Sequence, residues 1–204
     1  MNIFVLSEDP IAAAKMLCDK HIPKMTVESY QMLGSAARRH GATDDQMPLT
    51  KSGKPLIGGY PNHPCTRWAG DSRDNYLWLA HHAAAQAEEY EKRFGKEHFC
   101  AEPIEQLYSL AHLIPETYMA DAKGGIYQGV GLPIERTGMT PFALAMPDDY
   151  KPKRLMLDPV MNWVRVQISH ADAEEAVDLY RQYYHSKTFA RWERGRDAPA
   201  WWSG

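Results

Sequence analysis

The sequence predicts a mainly α-helical, single-domain bundle with long loops and at most a minor β element. Three observations predict it. Apolar residues recur at helical spacing in several stretches, these stretches have cap residues at their starts and glycines at their ends, and two long connections are rich in glycine and proline. At 204 residues the chain is long enough to bury a full core. No internal repeat or linker divides residues 1–204, so they read as one domain.

Asn2-Ile3-Phe4-Val5-Leu6 is a short apolar run, readable as a buried strand or an extended arm. Ser7 or Asp9 then caps a helix that has Pro10 in its first turn and runs to about Asp19. A second helix starts at His21-Ile22-Pro23, since proline is tolerated early in a helix. Along it Ile22, Met25, Ser29, Met32, Leu33 and Ala36 recur at helical spacing up to Ala37, and Gly41 suits a left-handed cap. Residues 41–61 read as one long loop. Asn62-His63-Pro64 can cap a short helix through Trp68.

Asp71-Ser72 opens a longer helix from Arg73 to Phe94, closed by Gly95. Tyr76, Leu79, Ala83, Ala87 and Tyr90 line its packing side, and Glu88, Glu89, Glu91, Lys92 and Arg93 are expected to stay in water. Another helix spans about Pro103 to Leu113. Residues 115–140 form a second long loop, of a length usually tied to function or mobility. Pro147 to Pro159 reads as irregular, and Asn162 to Ile168 as a strand. The last helix runs from Asp172 to about Lys187 on a face of Ala176, Leu179, Tyr180 and Tyr183. Trp201 and Trp202 in the tail are expected to pack back onto the body.

Lysine and arginine number 23 against 26 aspartate and glutamate, a net charge of −3. Proteins that grip duplex DNA through many phosphates are usually basic on at least one face. The balance therefore argues against strong non-specific DNA binding, while leaving room for a local basic patch. No apolar run nears the roughly 20 residues that span a bilayer, and the start has no basic leader. A cytoplasmic protein without a membrane partner is expected. Cys18, Cys65 and Cys100 are an odd count at unrelated spacings, which suggests reduced, buried thiols.

Chemistry concentrates on the second helix. His21, Lys24, Glu28 and Gln31 are spaced i, i+3, i+7 and i+10, so at about 100° per residue they share a stripe about 80° wide. One edge of a buried helix thus presents an imidazole, an amine, a carboxylate and an amide. Lys24 and Glu28 make an ordinary i, i+4 pair, or they belong to an acid/base site with His21 in which Lys24 is a possible imine-forming nucleophile. Spacing does not separate the two. Asn62, His63 and Arg67 place further polar groups beside a loop, where His63 can cap and Arg67 can hold a phosphate or carboxylate. His81 and His82 point about 100° apart on their helix and lack partners at ligand spacing, so no metal and no cofactor is expected. Arg191, Arg194 and Arg196 lie beside tail aromatics, which suits either base stacking or a packed tail.

The stretch from Met1 to Leu33, with NHPCTRWAGDSRDNYLWL, EEYEKRFGK, TPFALAMPDDYK, DLYRQYY and the closing PAWW, resembles a family of phage proteins of unsettled role. More distantly, the chain resembles the pyrimidine-dimer DNA glycosylases of the endonuclease V family. In that family a histidine on an early helix precedes a catalytic glutamate by seven residues, as His21 precedes Glu28. The resemblance implies a glycosylase that also nicks. An amine attacks the sugar's anomeric carbon as the base leaves, an imine forms, and β-elimination cuts the strand. It implies catalytic roles for Glu28 and His21 and a pocket shared with Asn62, His63 and Arg67 as substrate contacts; Lys24 is a further catalytic candidate, and Asn2 and Gln31 are further candidate substrate contacts. The family uses a chain-terminal amine, a group with a reference pKa of about 7.7–8.0 against about 10.4 for lysine. In the family that amine is exposed by removal of the initiator methionine from a small neighbour. Asn2 departs from this and is expected to leave Met1 in place, so that the Met1 amine, Lys24 or no nucleophile at all occupies the role.

Two function classes follow, with DNA or a nucleotide as the partner. One is an enzyme that processes damaged or modified DNA bases. The other is a non-catalytic phage protein that sequesters a nucleotide or nucleotide-derived signal in host counter-defence. His21–Glu28 spacing and the aromatic tail favour the first, Asn2 and the net charge the second.

Overall fold

The computed structural model describes residues 1–119, 135–158 and 162–203. Among these, six α-helices carry the fold: α1 (Pro10–Lys15), α2 (His21–Arg39), α3 (Pro64–Ala69), α4 (Arg73–Phe94), α5 (Ala101–Ser109) and α6 (Ala173–His185). The β content is minor and antiparallel. Strand β1 (Thr117–Met119) pairs with β2 (Glu135–Thr137). Strand β3 (Phe142–Ala143) pairs with a late strand, and β4 (Lys153–Asp158) pairs with β5 (Asn162–Gln167). That late strand is β6 (His170–Ala171), which leads into α6.

Local chemistry sets the helix ends. Asp9 accepts the Ala12 N–H at 2.6 Å and precedes Pro10 at the start of α1. Ser72 caps α4 through the Asn75 N–H, and Gly95 closes it at φ 69°. Asp172 caps α6 through the Glu175 N–H. Each is a polar oxygen meeting an otherwise unpaired helical N–H.

Helices α1, α2 and α5 pack around α4. The core takes Leu17 from the turn after α1, Ile22, Met25, Met32 and Leu33 from α2, and Tyr76, Leu79 and Ala83 from α4. Trp68 stacks on Phe142 at 4.8 Å and meets Trp78 edge-on. Among the described residues, 2–6 pair with no strand, and they run as a buried arm. The tail returns as expected: Trp202 stacks on His185 at 4.9 Å, and the Trp192 indole donates to the Met16 carbonyl. All three cysteines are buried free thiols.

Three expectations are corrected. Glu89 and Arg93 are not solvated: Glu89 is 1 % exposed and accepts Arg93 Nε at 3.1 Å and Nη2 at 3.0 Å. The cause lies outside the helix, because Arg196 from the tail also binds Glu89, and Asp19 meets Arg93 Nη1 at 3.2 Å. The segment 147–159 is not irregular throughout, because Lys153–Asp158 is β4, and Pro152 precedes the ladder rather than breaking it, while residue 159 lies outside the described residues. The 115–140 connection has ordered ends in β1 and β2, strands too short to give an alternating signature, while residues 120–134 lie outside the described residues. Among the described residues no helix is long and apolar enough to cross a membrane.

Candidate functional site

The N-terminal arm reaches the polar edge of α2 through Glu28. Burying the arm leaves the Asn2 N–H in need of an acceptor, and Glu28 Oε2 takes it at 2.9 Å. The Met1 amino group stands 3.8 Å from the same oxygen, and Lys24 Nζ lies 3.5 Å from Oε1. Two amines and one amide N–H thus converge on one carboxylate that is 13 % exposed, while Lys24 is 68 % exposed. A cleft of about 380 Å³ opens here, lined by Met1, Lys24, Val27, Glu28, Gln31 and Tyr60.

The arm is fixed at both sides of Glu28. Asn2 Nδ2 donates to the Ala145 carbonyl at 2.6 Å, and Asn2 Oδ1 accepts the Phe4 N–H at 3.0 Å. Phe4 has a left-handed backbone, φ 53°, which turns the chain over His21. The Met1 sulfur meets the Thr66 hydroxyl of α3 at 3.9 Å. The Asn2 side chain is therefore occupied within the protein, and its main contribution to the cleft is the placement of its own N–H and of Met1.

His21 shares the helix but not the cleft. It is buried, stacks on Phe4 at 4.8 Å and is hydrogen-bonded through Nδ1 to the Tyr184 hydroxyl at 2.7 Å. Burial, then the positive charges of Lys24, Lys187 and Lys20, press its pKa down to about 4, so the ring is neutral near pH 7. Gln31 does line the cleft. Its carbonyl accepts the Gly59 N–H at 3.2 Å, and its side chain lies against Gly59.

The second polar group divides. His63 caps α3 by accepting the Cys65 N–H at 3.2 Å. Its pKa is lowered by burial first and by the terminal amine next, with Glu28 opposing, so the His63 ring lies within reach of the cleft's charges. Asn62 and Arg67 are exposed and do not line the cleft. The Arg67 charge bears instead on His170, which is held near pKa 4 chiefly by burial. His81 and His82 serve packing: His81 meets Tyr108 edge-on, while His82 is bonded to the Pro10 carbonyl at 2.8 Å. No group of three or more histidine, cysteine, aspartate or glutamate side chains is placed to hold a metal among the described residues.

Tyr60 and Val27 line the cleft without having been singled out in the sequence. For Tyr60 the available signal was its position directly after Gly58-Gly59. A glycine pair of this kind marks a close backbone approach, and here the approach is to α2.

Searches of curated proteins and of solved structures gave no match. The arm, α2, α3, α4 and all the residues that line the cleft fall within a segment that does match: residues 1–101 fit the model of the family described as pyrimidine dimer DNA glycosylase.

Proposed function

We propose that the protein processes damaged or modified bases in DNA as a glycosylase with an associated lyase step. The observation that carries this is the placement of the Met1 amine and Glu28 on one cleft, 3.8 Å apart, inside the segment that matches the glycosylase family. An amine adjacent to a carboxylate suits imine chemistry at a sugar carbon. The amine nitrogen bonds to the anomeric carbon as the bond to the base breaks, and the departing base takes a proton. The ring oxygen then leaves the anomeric carbon as a hydroxyl, taking a proton from water, to give a protonated imine. Glu28 supports the positive charge and accepts the adjacent sugar proton as the 3′ phosphate leaves. Lys24 lies at the rim, where it serves as a phosphate contact.

His21 is assigned a positioning role, holding Phe4 and the arm against α2. Gln31 is assigned to the cleft wall, where its side chain can read a base or sugar edge, and His63, which caps α3, to a substrate contact beside the cleft rather than in its lining. Asn62 and Arg67 are assigned backbone contacts outside the cleft. A phage setting, with DNA in the host cell cytoplasm as substrate, is the accompanying expectation from the resemblance.

Borohydride trapping tests the reading. The protein is incubated with duplex DNA carrying an abasic site or a pyrimidine dimer, and the trapped adduct is mapped to a peptide. A covalent adduct at Met1, lost in Glu28→Gln, is expected. Absence of both adduct and nicking on either DNA would overturn it.

A further inference from the structure

The strap that carries Tyr60 is built to hold an aromatic ring out of the core. Gly58 has φ 96° and lies so close to α2 that a Cβ there would be 2.4 Å from the Ser35 backbone nitrogen. Gly59 is held twice by Ser35, its N–H donating to Oγ at 2.7 Å and its carbonyl accepting from Oγ at 2.9 Å. The Tyr60 carbonyl accepts the His63 N–H at 2.9 Å, which ties the strap to the start of α3. Between these anchors Tyr60 itself is left-handed, φ 49°, an unfavourable conformation for a bulky residue. The residue is nevertheless 68 % exposed. Among the described residues its ring contacts no other ring. Strain held in place by several hydrogen bonds, for a side chain that contributes little to the core, is the pattern of a functional position.

We propose that Tyr60 is a stacking platform for an unstacked nucleobase of the strand bound in the cleft, a proposal that rests on the DNA-processing reading above. The neighbouring groups fit that occupant. Gln31 and Glu28 bring an amide and a carboxylate to the base or sugar edges, and the exposed Lys24 amine stands at the rim for a phosphate. The cleft volume, about 380 Å³, lies at the small end of ligand-sized sites, which span about 300–1,000 Å³. Stacking on an aromatic face tolerates any base, because every base has a π-face. Tyr60 therefore adds affinity without setting sequence.

The test separates stacking from the lyase chemistry. Binding of a short oligothymidylate is compared with binding of a same-length strand whose bases are all replaced by abasic tetrahydrofuran residues, for wild type, Tyr60→Phe and Tyr60→Asn. Asparagine tolerates left-handed backbone, so that variant keeps the strap. Wild type and Tyr60→Phe should prefer the base-bearing strand about tenfold or more, in the range that one base–aromatic stack provides. Tyr60→Asn should lose most of that preference while binding the abasic strand as wild type does. Equal preference in wild type and Tyr60→Asn overturns the proposal even where nicking persists. Wild type that binds neither strand overturns it as well, and the borohydride assay then judges the glycosylase reading on its own.

Discussion

The Asn2 backbone N–H donates to Glu28 Oε2 at 2.9 Å, so the carboxylate facing the cleft is also what fastens the N-terminal arm to α2. Glu28 therefore has a structural duty and, in the proposed reaction, a chemical one, and the two can be separated. Glutamine keeps an oxygen for the Asn2 N–H but cannot take a proton. Glu28→Gln should retain the wild-type fold and bind abasic DNA within a few-fold, while nicking falls about 10²–10⁴-fold, the range for losing a positioned acid/base group. Single-turnover nicking with a parallel binding titration checks this. A fall in binding that matches the fall in rate would move Glu28 from the chemistry to the scaffold.

Lys24 makes the opposite prediction. Its ammonium is 3.5 Å from Glu28 but largely in water, and exposed i, i+4 pairs contribute only about 0.3–0.5 kcal/mol. Lys24→Ala should leave stability within about 0.5 kcal/mol of wild type and leave the borohydride adduct intact. Phosphate contact at the rim should show as a shallower dependence of DNA affinity on salt, by roughly one unit of slope. An adduct abolished by Lys24→Ala alone, with Met1 unmodified in wild type, would make Lys24 the nucleophile.

Much of this architecture is legible in the sequence where the cause is local. Asp9, Ser72, Asp172 and Gly95 sit at the helix ends they mark, because capping is a matter of a few adjacent atoms. The polar edge of α2 was readable by spacing, yet spacing could not show that His21 turns inward, since its partners Phe4 and Tyr184 come from the two ends of the chain. Glu89 and Arg93 failed for the same reason. Their helical positions look solvent-facing until Arg196 and Asp19 arrive from elsewhere. Tyr60 stayed hidden because a loop tyrosine has no periodicity, and what defines it is the packing of Gly58 on Ser35.

The Glu89 network is a stability prediction in its own right. Glu89 is shared by a buried Arg93 and a half-exposed Arg196. Removing the shared carboxylate leaves Arg93 as a buried charge with only Asp19 and backbone carbonyls, so Glu89→Ala should cost about 3–5 kcal/mol. Arg196→Ala removes the less buried partner and should cost less, while releasing the tail. Denaturant melts rank the two variants. Limited proteolysis should cut Arg196→Ala near Trp192–Trp202 before the body is touched, and equal tail protection in wild type and variant would deny the clamp.

Acid should unfold the protein through its buried histidines. His21 and His82 are both held down to about pKa 4 from an ordinary 6.5, His21 by burial and three lysines, His82 by burial against its carbonyl partners. Between these values the unfolded chain binds protons that the folded chain refuses, so stability falls as pH drops. Each shift corresponds to about 3 kcal/mol. That stability is fully present above about pH 6.5 and is lost progressively as pH falls toward about 4. His21→Phe preserves stacking on Phe4 and leaves the Tyr184 hydroxyl its bond from the Cys18 N–H, at 2.9 Å. It should therefore remove the His21 share of this acid loss, leaving the shares of His82 and His170, in urea melts taken at a series of pH values. A wild-type midpoint that stays constant from neutral pH down to pH 4 would mean that both rings escape to water and charge without cost.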